Sequence, residues 1–373
     1  MILLSSLRLF FALLLLASMY NPAFAAEGAG CVSGTVVMEF DLSRYPTSDE
    51  VRLWLPYPVS DKWQVVDSIE ISGTQDHAAV YTDRRFQNPI LFVLWRPGDQ
   101  QPRRFCLSFH VRRLERKEGP LPDREPCLDL AALQPYLAPT SLGPVTGRVK
   151  ELADEITRGC TGVQAKARAI YDWICECLHR DPSVKGCGRG DVCLVLDRKG
   201  GKCVDLHSVF VALARAAGVP AREVFGIRLS RDDRQEAEIT GDYHCWAEFY
   251  HPGYGWVVVD PADVTKAVLK TGYSKDHPYI RRLKEYFWGS VDPYRLRLSY
   301  GRDLTLNPRQ YGKPLNYLMY PFAQVGTESL DWLEPKAFSY RITFSPDPSG
   351  ARAKTRGRCE GKENEEQRRH GVQ

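Results

Sequence analysis

No stretch of this chain stays apolar long enough to cross a bilayer, neither sign of charge dominates, and no internal repeat is present. A membrane helix needs ~20 consecutive apolar residues, and the longest unbroken run, Leu9 to Ala17, falls short of that. Fifty basic against 46 acidic residues leave a net charge of +4, too balanced to argue for nucleic-acid binding. Gly (29) and Pro (25) are plentiful but follow no G-X-Y period, which excludes a collagen-like chain. With 43% apolar and 26% charged residues, neither a fibrous nor a wholly disordered protein is expected. The length, 373 residues, suffices for two domains at ~100–200 residues each. What the chain does not lack is cysteine, of which it has 11.

The N-terminus bears on how those cysteines are read. Arg8, the apolar run Leu9–Ala17, Pro22 and the small-residue site Ala23-Phe24-Ala25 read as a secretory signal over residues 1–25, cleaved before Ala26. An uncleaved anchor is the alternative, and Gly28-Ala29-Gly30-Cys31 loosely resembles an acylation site. The expected location is therefore periplasmic or secreted, with no membrane span after cleavage. All 11 cysteines follow the cleavage site, and in an oxidising compartment ten could form up to five disulfides. The odd one left over is weak support for a functional thiol.

Residues 26–138 read as a β-rich N-terminal domain. Its short runs Thr35–Phe40, Val51–Leu55, Ser68–Ile71, Pro89–Trp95 and Cys106–Val111 are punctuated by Gly and Pro, as in a sandwich. A proline-rich crossover follows over 115–144, then helical periodicity from Val145 to about Leu178. Cys175, Cys177, His179, Cys187 and Cys193 crowd one stretch, but their spacing is not a usual zinc pattern; disulfides or buried thiols are expected there. The Tyr-rich segment 283–344 is expected to pack back on the preceding domains. From Ser345 the chain is polar and cannot bury a core, so residues 345–373 are expected to be a disordered tail.

The chemistry concentrates between Gly200 and Ala262. Leu206, Val209, Phe210, Leu213 and Ala217 form one apolar helical stripe, closed by Gly218 and Pro220, so the helix starts close to Cys203. Gly200 and Gly201 would let the backbone turn sharply just before it. A helix N-terminus carries free N–H groups and about half a positive charge, which favours thiolate over thiol. Against an ordinary thiol pKa of ~8.5, a value near 4–6 raises the thiolate fraction at neutral pH roughly thirtyfold. Taken alone, Cys203 reads equally as a buried structural cysteine. Downstream, Gly241–Tyr250 reads as a strand, His251–Gly255 as a turn and Trp256–Pro261 as the returning strand. If Tyr250 pairs with Trp256, His244 and Asp260 share one face of the hairpin, where a carboxylate can hold an imidazole.

Three motifs together resemble the transglutaminase-like superfamily. They are Gly201-Lys202-Cys203 with its helix and Gly218-Val219-Pro220-Ala221-Arg222, then Tyr243-His244-Cys245-Trp246-Ala247-Glu248, then Gly253-Tyr254-Gly255-Trp256 leading to Asp260-Pro261. The resemblance covers roughly residues 145–270 and implies an α+β, papain-like core in which the cysteine helix packs on an antiparallel sheet. The transglutaminase-like domain with its C-terminal β extension is then placed at 139–344. It also implies a catalytic triad of Cys203, His244 and Asp260, a protein or peptide substrate, and chemistry on amide bonds through a thioester without a cofactor. No oxyanion-stabilising side chain and no calcium-site pattern can be placed.

Neighbouring residues carry milder readings. Asp205 suits the helix dipole, and His207 is a second polar group one turn from Cys203 or a core histidine. Asp263 is a stand-in for Asp260, Cys245 is expected on the opposite strand face from His244, and Trp246 walls the substrate cleft or simply packs. Two rival functions remain at this level: a catalytically silent scaffold or protein-binding module of the same fold, and a metal-binding protein built on the cysteine cluster.

Overall fold

The computed structural model describes residues 30–348, apart from 99–101, 123 and 128, so the apolar N-terminal run and its cleavage site lie outside the described residues. Strict alternation builds the first strands. In β1 (Cys31–Asp41) the even-numbered residues Val32, Val36, Met38 and Phe40 are buried, and in β6 (Arg104–Leu114) Phe105, Leu107, Phe109 and Val111 repeat the pattern. Between them run β2 (Val51–Pro56), β3 (Gln64–Gly73), β4 (His77–Thr82) and β5 (Pro89–Trp95). β4 is the strand that the composition did not announce, since only Ala78, Ala79 and Val80 are aliphatic in it.

Two five-stranded antiparallel sheets result, and the C-terminal segment helps to complete both. β1 lies between β6 and a late strand, Ser339–Pro346, while β2 lies between β5 and Phe322–Val325. The sheets meet where Trp95 packs edge-on to Phe105 at 6.5 Å. Ser345 and Pro346 pair with Thr35 and Gly34, so ordered strand runs past the point where the polar tail was expected to begin; from residue 349 that tail lies outside the described residues.

A third sheet, antiparallel and four-stranded, holds the segment of interest. Its order is Gly255–Val259, Tyr243–His251, Ala221–Arg228, Arg295–Tyr300. The hairpin has the register assumed from sequence, with Tyr250 opposite Trp256 and the turn at Gly253, where φ is 82°. Helix α1 (Arg148–Ile156), α2 (Gly162–Cys177) and α3 (Val192–Arg198) pack against α4 (Cys203–Ala216), which in turn lies on the sheet. Sequence periodicity showed one apolar stripe on α4; in the fold every one of its residues is buried. Its polar side chains survive because each is partnered. Asp205 accepts from the Lys202 and Gly190 N–H groups at 2.9 and 2.8 Å, and Arg215 donates to the Ala221 carbonyl at 3.0 Å. Arg302 is bound to Glu223 and Asn316, each at 2.7 Å, and also to Ser208 on α4, which fastens the helix to the sheet. This α+β arrangement is the fold class expected from the motifs.

Among the described residues the nine cysteines other than Cys31 are free thiols, so of the two expectations for the crowded stretch, disulfides or buried thiols, the first does not hold. The crowded stretch disperses: Cys175 is buried in α2, Cys177 and Cys193 are exposed, and Cys187 is buried beside α4. Proximity in sequence did not become proximity of thiols because two helices and a loop separate them.

The sheet carries a buried charge cluster with a measurable consequence. Glu248 is 1% exposed and binds Arg222 at 2.7 Å and Arg116. Burial alone would raise its carboxyl, but the two guanidinium groups outweigh it and hold the pKa at about 2, against 4.5 when free. A depressed carboxyl contributes stability that is present above its unfolded value and lost as pH falls through its folded value. We therefore expect Glu248 to account for on the order of 3 kcal/mol of a stability loss between about pH 5 and pH 2. Urea melts across that range should show a shallower pH slope in Glu248→Gln than in the parent; an unchanged slope would place the sensitivity elsewhere.

Candidate active site

Cys203 is the first residue of α4, so it sits at the positive end of the helix dipole, and the Val204 N–H beside it is donated to the Cys187 carbonyl at 3.0 Å. The Gly200-Gly201 pair before it serves close packing, not a sharp turn. Neither has a positive φ, but a Cβ at Gly200 would fall 2.5 Å from the His179 ring and one at Gly201 2.4 Å from the Asp205 Cβ. Two other thiols surround the sulfur. Hydrogen bonds from Cys187 and Cys245 favour the Cys203 thiolate, burial opposes it, and the His244 ring adds to the favourable side. The net effect holds the Cys203 pKa well below the ordinary thiol value. Cys203 first and burial second push Cys187 up, and burial first and Cys203 second push Cys245 up, so one thiol of the three favours the thiolate.

His244 belongs to the strand Tyr243–His251 and Asp260 follows the returning strand, where it caps α5 (Pro261–Thr271). Asp260 accepts the Asp263 N–H at 2.9 Å, with Pro261 at the first helical position. His244 Nε2 approaches Asp260 Oδ2 to 2.7 Å, which leaves Nδ1 for the thiol side. The structure thus brings His244 and Asp260 into hydrogen-bond contact, with the His244 ring near enough to Cys203 to favour its thiolate. Trp246 is not among them: it is 2% exposed, packs with Val224, Val258, Val291 and Tyr300, and leaves its indole N–H unpartnered. It does not line the cavity beside Cys203.

Two expectations for neighbouring residues need correction. Cys245 is not hidden from Cys203 on the far side of the strand; it touches Cys203 and accepts or donates to His207 Nδ1 at 3.3 Å. The strand is covered on both faces, so alternation there does not separate a site face from an inert one. Asp263 is not a spare for Asp260. Its carboxylate is taken by Arg228 at 2.6 Å and Arg295 at 2.7 Å, and it lies 3.9 Å from His244.

Of the other half of the site, sequence reasoning left His207 open between a polar site group and a core histidine, and it missed Arg295. His207, one turn along α4 from Cys203, is fully buried and reaches Asp260 Oδ1 at 3.2 Å. Its spacing of four residues from Cys203 was a usable signal. Arg295 comes from a strand at the far edge of the sheet, forms a buried ion pair with Asp260, and approaches His244 Nε2 at 3.3 Å. Nothing local to Arg295 marks it. Burial alone would raise the Asp260 carboxyl, yet Arg295 and then His244 hold it well below the usual carboxylate range. His244, Asp260 and Asp263 also form a group of donors close enough to hold a metal ion. Their oxygens are already satisfied by Arg295, Arg228 and His207, so the guanidinium groups stand where a cation would.

Beside Cys203, a cavity of about 470 Å³ is lined by Cys187, Lys202, Tyr243 and the aromatic residues Tyr320 and Trp332, among others. Cys203 and His244 are only 1% and 3% exposed, so they sit behind its wall.

Comparison with known proteins agrees with this geometry. Residues 150–261 match the core described as the transglutaminase-like superfamily. An uncharacterised protein of Haemophilus influenzae is 35% identical over 314 residues, covering 78% of this chain and 85% of that one. A protein-glutamine gamma-glutamyltransferase of Pseudomonas aeruginosa is 27% identical over 194 residues, which span 46% of this chain but 28% of the relative. Among solved structures, a candidate cysteine protease from Cytophaga hutchinsonii superposes with a TM-score of 0.51 at 14% identity, over 85% of this chain and 99% of that one. That likeness is one of fold. The family core falls on α1–α4, the histidine strand and the aspartate that caps α5, and with a relative alike over most of both lengths the chain belongs to the transglutaminase-like superfamily.

Proposed function

We propose that this chain is an exported cysteine enzyme that acts on amide or peptide bonds through a thioester on Cys203. The observation that supports the reading is a helix-start thiol held below the ordinary thiol pKa, beside a histidine that is itself 2.7 Å from a buried carboxylate. The Cys203 thiolate adds to the amide carbonyl, and the His244 imidazolium protonates the nitrogen as the C–N bond breaks and the amine leaves. The thioester is then resolved by water, giving an acid, or by an amine, giving a new amide; His244 takes the proton of either nucleophile. Asp260 keeps the imidazole oriented and favours its charged form. The partial positive charge at the start of α4 is suited to the oxyanion. Export rests on the apolar N-terminal run and its small-residue cleavage site.

One observation favours the second reading, a silent module of the same fold: Cys203 is 1% exposed. Alkylation separates the two. A thiolate held by its neighbours should react with iodoacetamide nearly as fast at pH 6 as at pH 8, whereas an ordinary thiol loses about tenfold in thiolate per pH unit. Peptide mapping after brief treatment at pH 6 should find Cys203 modified ahead of every other cysteine. An inert Cys203 would favour the silent module.

Substitutions separate the roles. Cys203→Ala should abolish turnover of a fluorogenic peptide, and His244→Ala should be nearly as severe. Asp260→Asn keeps the shape of the side chain and should lower kcat by about 10⁴. Asp260→Ala should in addition lower the melting temperature, because Arg295 would lose its closest counter-charge in the interior. Full activity in folded Asp260→Asn would remove it from the mechanism.

A further inference from the structure

The cavity beside Cys203 carries an excess of positive charge that the fold does not consume. Arg180, Lys202, Arg228 and Lys266 line it, against a single carboxylate among the lining residues, Asp242. Arg228 is spoken for by Asp263 at 2.6 Å. Arg180, Lys202 and Lys266 have no ion pair or hydrogen bond from their side chains to a carboxylate among the described residues, and all three are only partly exposed. The nearby carboxylates are engaged elsewhere: Asp263 is shared by Arg228 and Arg295, Asp331 binds Lys185 at 3.0 Å, and Asp181 accepts from Ser183 at 2.6 Å. Lys266 feels the imbalance. Burial first, then the Arg228 charge, lowers its amine pKa, and Arg180 adds to the repulsion. Elsewhere in this fold buried guanidinium groups are partnered, by acids at Arg116, Arg222, Arg295 and Arg302 and by backbone carbonyls at Arg113 and Arg215. Three partly buried cations left without acids around one concavity, immediately beside a thiol, is the pattern of a site that receives its negative charge from outside.

We propose that this cavity binds a carboxylate of the substrate next to the amide that Cys203 attacks, so that the enzyme prefers acidic peptides. The proposal rests on Cys203 being the nucleophile. Arg180 and Lys266 supply the charge that recognises the carboxylate, Lys202 immediately precedes Cys203 in the chain, and Tyr320 and Trp332 give the pocket an aromatic wall. In partly desolvated surroundings such an ion pair discriminates where an exposed one does not.

The test uses the full mature chain and three peptidyl acyloxymethyl ketones that differ only in the residue next to the reactive carbonyl: Glu, Gln or Lys. The rate of Cys203 labelling is read by intact mass and peptide mapping. The Glu probe should label about tenfold faster than the Gln probe, equivalent to one such ion pair, and the advantage should shrink as salt is added. Lys266→Gln should lower the Glu-to-Gln ratio towards one, and Arg180→Glu with Lys266→Glu should make the Lys probe faster than the Glu probe. Equal labelling by Glu and Gln probes would overturn the proposal while leaving Cys203 as nucleophile. A Glu preference that survives charge reversal would also overturn it, since other groups would then be responsible. If none of the probes labels Cys203 in protein with an intact melting transition, the nucleophile reading and this proposal fall together.

Discussion

The site depends on keeping one carboxylate ionised in the interior. Asp260 has no exposed surface, and a lone carboxylate so placed would take up a proton and cease to attract an imidazolium. Arg295 prevents this. It comes from the opposite edge of the four-stranded sheet and places its guanidinium against Asp260, with Asp263 and Asp292 balancing the remaining charge. Around that pair the other contacts fall into place. His244 takes one oxygen of Asp260, His207 the other, and the Asp263 N–H ties the carboxylate to the start of α5. Such a cluster is weak grounds for stability, since buried ion pairs often do no better than apolar residues. Its value here is geometric, because two helices and three strands must be in register for it to form.

The second constraint is the burial of α4. A helix enclosed on all sides can present its N-terminus to the sheet without competition from water, which strengthens the effect of its free N–H groups on Cys203. The neighbouring thiols sharpen that effect. Cys187 donates its thiol to the Tyr243 carbonyl at 3.3 Å, and beside the Cys203 sulfur both Cys187 and Cys245 are driven to stay protonated. Three cysteines within reach of one another thus do not compete for the role of nucleophile. The cost of the arrangement is access, because the sulfur lies behind a cavity wall formed partly by Cys187 and by the C-terminal residues Trp332 and Leu333.

That wall shows why the C-terminal segment matters to the site. Residues 295–346 contribute Arg295 and an edge strand to the core sheet, Tyr320 and Trp332 to the cavity, and strands to both sheets of the β-rich part. Tyr320 donates its position to the site through a 3.1 Å bond from the Cys187 N–H and a stack against Trp332 at 5.7 Å.

The sequence by itself determined the local pieces of this protein. Short apolar runs punctuated by Gly and Pro announced β1, β2, β3, β5 and β6; the Gly218–Pro220 stop located α4 and with it Cys203; the turn at His251–Gly255 suggested the hairpin register, Tyr250 opposite Trp256, that the structure has. These are short-range signals, written in residues a few positions apart, and they identified the family core. Only the tertiary structure decided what surrounds them. Arg295 lies 35 residues from Asp260 with no periodicity to mark it, Cys187 reaches Cys203 through a loop, and Cys245 meets the site because both faces of its strand are covered. Cysteine pairing went the same way: composition allowed disulfides, but helix and loop geometry dispersed most of the described thiols and gathered Cys187 and Cys245 around the Cys203 sulfur without joining them. Long-range contacts of this kind depend on how separate elements dock, and docking is settled by packing across the whole core, not by any window of sequence.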